Sequence, residues 1–222
     1  MDIAAAAANH CFLELKKIWR GFEAKESRII PFCTPVLDRP KAVIVGMNHS
    51  VFLPHISPDQ DMTAQEFSDA IPTRSAFIRE DFAPQRLSAF AEDMLYIFDQ
   101  VGIEVTSEWM GTNRCPVQRT KLDEIRHLPS FDLRQKQTDV CLRAFFKEIA
   151  PERIILVGKF AAELYFSGAE KKVFDDLVQP KKGDLRTGDQ TTIFAIEYPN
   201  NMANRGVTNK ARAIDRLSKY WV

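Results

Sequence analysis

The sequence lacks a close pair of cysteines. Its four, Cys11, Cys33, Cys115 and Cys141, stand far apart with no CxxC motif. That spacing argues against a zinc site, offers no disulfide framework and fits a reducing, cytoplasmic compartment. No apolar run approaches membrane-spanning length, so no membrane span is expected. Residue 2 is Asp where a secretory signal has a basic segment, and the alanine run that follows is too short for a signal core, so no secretory signal is expected. Net charge is absent too, since 30 acids balance 30 bases. There is no internal repeat and no linker. What remains is one domain, 1–222, whose 45% hydrophobic content suffices for a real core.

The charge that is present is unevenly spread. Residues 1–58 hold 7 bases and 5 acids, residues 59–108 hold 3 and 11, and residues 109–222 hold 20 and 14. A basic second half permits contact with a polyanion, and is equally consistent with a solvated mixed surface.

The most informative stretch is KAVIVGMNHS, 41–50. Ala42 to Val45 is wholly apolar and mostly β-branched, the composition of a strand buried on both faces of a parallel sheet. Gly46 ends it, and the polar Asn48 and His49 follow. Polar groups just past the carboxyl end of a central strand stand where open α/β sheets bind ligands. The alternative is a strand running into an ordinary turn.

Along the chain, Phe12, Leu13, Leu15, Ile18, Trp19 and Phe22 recur at helical spacing. Residues 27–40, with three prolines, read as a loop. Residues 51–83 show no period and are acidic. A second helix is expected over 84–100 and a third over 135–149, with Val140, Leu142, Phe145, Phe146 and Ile149 inside. Strands are expected near 42–46, 104–109, 153–157 and 191–196. Residues 111–117 read as a strand-end loop, 118–133 and 167–190 as loops, 160–166 as a short helix and 207–220 as a basic helix. Alternating strands and helices argue for α/β architecture: a three-layer α/β/α sandwich on a mostly parallel four-stranded central sheet.

Three polar segments follow expected strands: GMNHS, GTNRCP and YPNNMANRG. GMNHS resembles the GMNPG of the single-strand-selective monofunctional uracil-DNA glycosylases. GTNRCPV resembles that family's HNxCPL, LVGKFAAE its VGVGRxAEQ, and YPNNMANRG its HPSPRNPQANKG. The four motifs stand in the family's order, and the likeness spans roughly residues 40–216.

The resemblance implies a monofunctional DNA glycosylase that flips uracil or a related damaged pyrimidine out of DNA and hydrolyses its N-glycosidic bond. It needs no cofactor and no metal. The implied partner is single-stranded or duplex DNA, with no membrane contact, and the chain acts as a monomer. Some related glycosylases hold an iron–sulfur cluster on four cysteines, but the spacing here lacks the close pairs such clusters use.

Residue by residue, Asn48 matches the asparagine that holds the attacking water. Asn113 matches the one that pairs with the base, offering a donor and an acceptor. The backbone around Met47 would approach the base oxygen. Either asparagine also suits a turn, since asparagine tolerates left-handed backbone. Phe77 is the candidate for stacking on the base, with Phe67 and Phe52 as rivals and core packing as the alternative for all three. Met202 stands where the family inserts a wedge into the duplex. Asn201, Asn204, Arg205 and Lys210 belong to the implied DNA surface, with Arg205 meeting a flanking phosphate.

The departures bear on chemistry. Tyr198 stands where the family has the histidine that stabilises the departing base, and His49 where it has proline. Loss of an oxyanion-type donor typically costs ~10²–10³ in rate. Two readings follow: a slow glycosylase using Asn48, Tyr198 and His49, or a catalytically silent member of the fold that binds a nucleic acid or nucleobase.

Overall fold

A computed structural model describes residues 3–20, 29–48, 77, 89–117, 125–166, 181–184, 190–199 and 205–221. Ten elements follow in order. They are α1 (Ile3–Ile18), β1 (Ala42–Asn48), α2 (Ala89–Val101), β2 (Trp109–Cys115), α3 (Phe131–Ile149), β3 (Arg153–Val157), α4 (Gly158–Ala162), β4 (Lys181–Asp184), β5 (Gln190–Ile196) and α5 (Arg205–Tyr220).

The strands form one sheet in the order β2-β1-β3-β5-β4. β1 pairs in parallel with both β2 and β3, and β3 with β5. β4 joins β5 antiparallel at the edge. The parallel four-stranded core and its covering helices make the expected three-layer α/β/α sandwich. β4 adds a fifth strand inside a stretch read as loop.

Alternation along each strand separates two cores. Val43, Val45, Met110, Ile154, Leu156, Ile193 and Ala195 pack with α1, α3 and α4. Ala42, Ile44, Trp109, Ile155, Val157, Phe194 and Ile196 pack with α2 and α5. On this second side Trp109 stacks on Trp221 with centroids 5.5 Å apart and meets Phe98 edge-on at 5.1 Å.

Three boundaries differ from expectation for physical reasons. β2 runs over Trp109–Cys115, not 104–109, so the expected loop GTNRC is mostly strand. Its charged residue, Arg114, is buried because acids meet it inside. α1 begins among the alanines, and its buried stripe is Ala4, Ala8, Cys11 and Leu15, whereas Leu13 is 55% exposed. Alanine lets α1 lie close to α3, so the small residues make the contact. Val140, expected inside, is 61% exposed, because α3 turns it away from the sheet toward a groove beside α1.

Among the described residues no helix is long and apolar enough to cross a membrane, and no group of three or more His, Cys, Asp or Glu is placed to hold a metal ion.

Candidate functional site

The order β2-β1-β3 sends the chain first to one side of β1 and then to the other. That reversal is the topological switch point of an open α/β sheet, where the carboxyl edge opens a crevice. Gly46 of β1, Asn113 of β2, Gly158 after β3 and Tyr198 after β5 all stand at this edge.

Gly46 and Asn113 are register partners. A Cβ on Gly46 would fall on Asn113 Oδ1. Glycine is therefore what lets the carboxamide lie across the neighbouring strand. The amide is 7% exposed, and its Nδ2 donates to Cys33 Sγ at 3.5 Å. Burial pushes the Cys33 thiol up to about 12, against a lowering by the Asn113 amide.

Tyr198 lies over Gly158, whose φ of 86° favours glycine and where a Cβ would stand 3.2 Å from Tyr198 Cβ. Its ring stacks on Phe90 with centroids 5.6 Å apart and planes 12° from parallel. Phe90 Cζ in turn stands 3.9 Å from the Cβ position on Gly46. Phe90 thus borders both the Tyr198 ring and the space above Gly46 that the Asn113 amide crosses. Phe77 completes the row, 4% exposed, edge-on to Phe90 at 6.3 Å and lying against Gly111.

The Tyr198 phenol is raised above its ordinary value by burial, with Asp93 adding to the effect. It stays neutral and able to donate at physiological pH. The Tyr198 carbonyl accepts from Asn209 Nδ2 at 3.0 Å, which ties the segment after β5 to α5.

The structure brings Asn113 and Tyr198 to one face of the edge beside Phe90, whereas Phe77, expected to stack on the base, is buried in the core against Gly111, the packing role that was its alternative. Asn48 is in β1, two residues beyond Gly46 and in register with Cys115. The Met47 side chain packs toward the opposite core, with α1 and α3. Lys210 of α5 forms an ion pair with Asp93 of α2, and its ammonium lies 5.7 Å from the Tyr96 ring. Arg205 opens α5. His49, Phe52, Phe67, Asn201, Met202 and Asn204 lie outside the described residues.

Two contributors escaped sequence reasoning. Phe90 falls within the second helix expected over 84–100, and its periodic spacing there carries no sign of its place at the edge. Arg114 sits in GTNRCP without an assigned role. It is 5% exposed and forks onto Asp139, with Nε to Oδ1 at 2.8 Å and Nη2 to Oδ2 at 2.7 Å. Its Nη1 reaches Glu163 Oε2 at 2.7 Å, and its guanidinium lies 4.4 Å from the Phe160 ring. Gln135 donates to the Arg114 carbonyl and to Asp139. This cluster bolts β2 to α3 on the side away from Phe90, so it holds Asn113 in place from behind. The polar residues Gln135, Thr138 and Asp139 on the buried face of α3 were the available signal.

An open cavity of about 970 Å³ lies elsewhere, between α1 and α3. Its chemistry is mostly apolar and it does not include Asn113 or Tyr198.

No protein-family model matches the chain, and no curated protein matches it.

Proposed function

We propose that the chain takes a flipped pyrimidine base of DNA at the carboxyl edge of the sheet and slowly hydrolyses the N-glycosidic bond of uracil or a related damaged pyrimidine. The observation that carries the reading is the convergence of the Asn113 carboxamide and the neutral Tyr198 phenol around Phe90. The motif likeness to single-strand-selective uracil-DNA glycosylases supports it.

In this chemistry Asn113 reads the base edge with its donor and acceptor. Asn48, one turn of pleat beyond Gly46, holds water for an oxocarbenium-like sugar that needs little nucleophilic push. Tyr198 gives one hydrogen bond to the departing base oxygen. A phenol supplies less than the charge-balanced donor it replaces, hence the slow rate. Arg205, at the start of α5, meets a phosphate beside the flipped nucleotide. The setting is a reducing, cytoplasmic compartment, base excision repair the process.

One observation favours the second reading, a silent nucleobase binder. The Tyr198 ring lies flat on Phe90, and Phe77, the expected stacking partner, is 4% exposed in the core, so the Phe90 face under Tyr198 and the Phe77 ring are both closed to a base.

Single-turnover base release from uracil-containing DNA separates the two. Tyr198→His should raise the rate by about one to two decades, on the scale of one oxyanion-type donor. Tyr198→Phe and Asn48→Ala should lower it. Binding should weaken with salt at a slope near −0.9 per neutralised phosphate on duplex DNA, and more shallowly for Arg205→Ala. If the parent and Tyr198→His both bind uracil DNA and neither releases base, the enzyme reading falls and the binder stands. If neither binds, both fall.

A further inference from the structure

The remaining chemistry lies on the far side of the sheet, where α1 crosses α3. Cys11 is on the buried stripe of α1 and is 2% exposed, and Cys141 faces it from α3, half-buried. Their sulfurs are 3.5 Å apart, and Cys141 Sγ is also 3.6 Å from the Cys11 carbonyl oxygen. Both are free thiols. Both line the open cavity of about 970 Å³, alongside His10, Glu14 and Glu148.

A disulfide needs the sulfurs at about 2.05 Å. From 3.5 Å the closure is about 1.5 Å, a distance side-chain rotation and a slight helix shift can supply. The alanines beside Cys11, Ala7 and Ala8, present little bulk to resist it. Ordinary buried cysteines make no such pair. Cys115, fully buried, has its thiol pushed up to about 12 by burial.

We infer that Cys11 and Cys141 form a redox-active dithiol that closes to a disulfide when hydrogen peroxide enters the groove, cross-linking α1 to α3. Cys141 is the attacking sulfur and Cys11 the resolving one. The hydrogen bond between them lowers the Cys141 thiol and raises that of Cys11, which burial raises further. Cys141 is also the more exposed of the two, as a first attacker must be.

The step balances. The Cys141 sulfur attacks one peroxide oxygen, the O–O bond breaks, and the leaving oxygen takes up the thiol proton as water. Cys141 is now a sulfenic acid. The Cys11 sulfur attacks it, the S–O bond breaks, and a second water leaves with the Cys11 proton. Two thiols have lost two electrons and two protons, and the peroxide has been reduced to two waters. A thiol reductant reverses the cross-link.

The test uses the full, reduced chain with stoichiometric hydrogen peroxide. Intact mass should fall by two hydrogens per chain, and a non-reducing peptide map should show a Cys11–Cys141 link with Cys115 still a thiol. Dithiothreitol should restore the mass. The melting temperature of the linked form should rise by about 10 °C, as expected for closing so long a loop in a domain of this size. In Cys11→Ser, which removes the resolving sulfur, a sulfenic-acid trap such as dimedone should label Cys141. A chain that keeps both thiols at this peroxide level overturns the inference. So does a cross-link to another cysteine or to a second chain. The peptide map of the unmutated protein decides the matter even if Cys11→Ser does not fold.

Discussion

Replacing Gly46 with alanine tests the geometry of the edge at one atom. The new methyl would fall on Asn113 Oδ1, while its distance to Phe90 is an ordinary 3.9 Å contact. The clash is therefore with the carboxamide alone. Asn113 is buried and its Nδ2 is held by Cys33 at 3.5 Å, so the amide has no open space to swing into without losing that bond. Overpacking of this kind costs about 1–3 kcal/mol, and a lost hydrogen bond adds about 0.5–1.5 kcal/mol. Together, Gly46→Ala should cost about 2–4 kcal/mol, or a melting temperature lower by about 5–15 °C for a domain of this size. The sign should reverse once the amide is gone. Gly46 is not among the positive-φ residues, so alanine suits its backbone. In an Asn113→Ala background the same change should be neutral or stabilising by up to about 1 kcal/mol, since it restricts the unfolded chain. Urea unfolding of the four proteins in the cycle measures the coupling, expected to exceed about 1 kcal/mol. Additive effects, or a harmless Gly46→Ala in the parent, would refute the placement of Asn113 across Gly46. Under the proposed function, uracil-DNA binding should fall in Gly46→Ala as well, because the displaced amide would no longer present its edge to the base.

Two further expectations rest on other groups. Asp139→Ala removes the two-pronged carboxylate contact of the buried Arg114 guanidinium, which keeps Glu163 and the Phe160 carbonyl as partners, so stability should fall by about 1.5–3 kcal/mol. Adding Arg114→Met should recover part of that loss in denaturant midpoint, and a double variant weaker than Asp139→Ala alone would contradict the under-bonded buried guanidinium as the cause. Tyr198 carries a raised phenol, so its contribution to stability is complete below the ordinary tyrosine value near 10 and is lost as pH rises through the folded value. Wild type should therefore lose stability relative to Tyr198→Phe above about pH 10, with their difference constant below it; parallel curves throughout would show that the phenol is not desolvated.

The core strands were legible because their composition leaves little choice. IVIV-type runs such as Ala42–Val45 and Ile154–Val157 are apolar on both faces, and only a sheet covered on both sides accommodates them. β2 was misplaced because its sequence, WMGTNRC, looks polar. Its polarity is internal: Thr112 bonds the Pro31 carbonyl, Asn113 lies on Gly46, and Arg114 meets Asp139. Each pairing joins residues distant in sequence, so no local pattern announces it. Strand β4, KKGD, is short and charged, and its existence depends on pairing with β5. At the site, the sequence named Asn113 and Tyr198, which stand on one face of the edge, and Phe77, which packs in the core. It passed over Phe90, whose helical spacing describes its burial and says nothing of what it touches.

The two rims of the sheet differ in how they end, and this governs what the molecule does at high concentration. Outside β2, the segment from Ile29 to Thr34 takes up the open backbone: Ile30 N–H reaches the Pro116 carbonyl at 2.7 Å, Cys33 N–H the Gly111 carbonyl at 2.8 Å, and Gly111 N–H the Thr34 hydroxyl at 2.8 Å. Pro31, inside that segment, has no N–H to offer a newcomer. At the other rim β4 is four residues long, and two of the four are Lys181 and Lys182. A foreign strand aligning there would find a short template and would bring two ammonium groups against any lysines of its own. Such endings discourage strand-by-strand polymerisation. Substituting Lys181 and Lys182 with threonine removes both charges and puts β-branched residues in their place, which should turn this rim into a better template for fibrils.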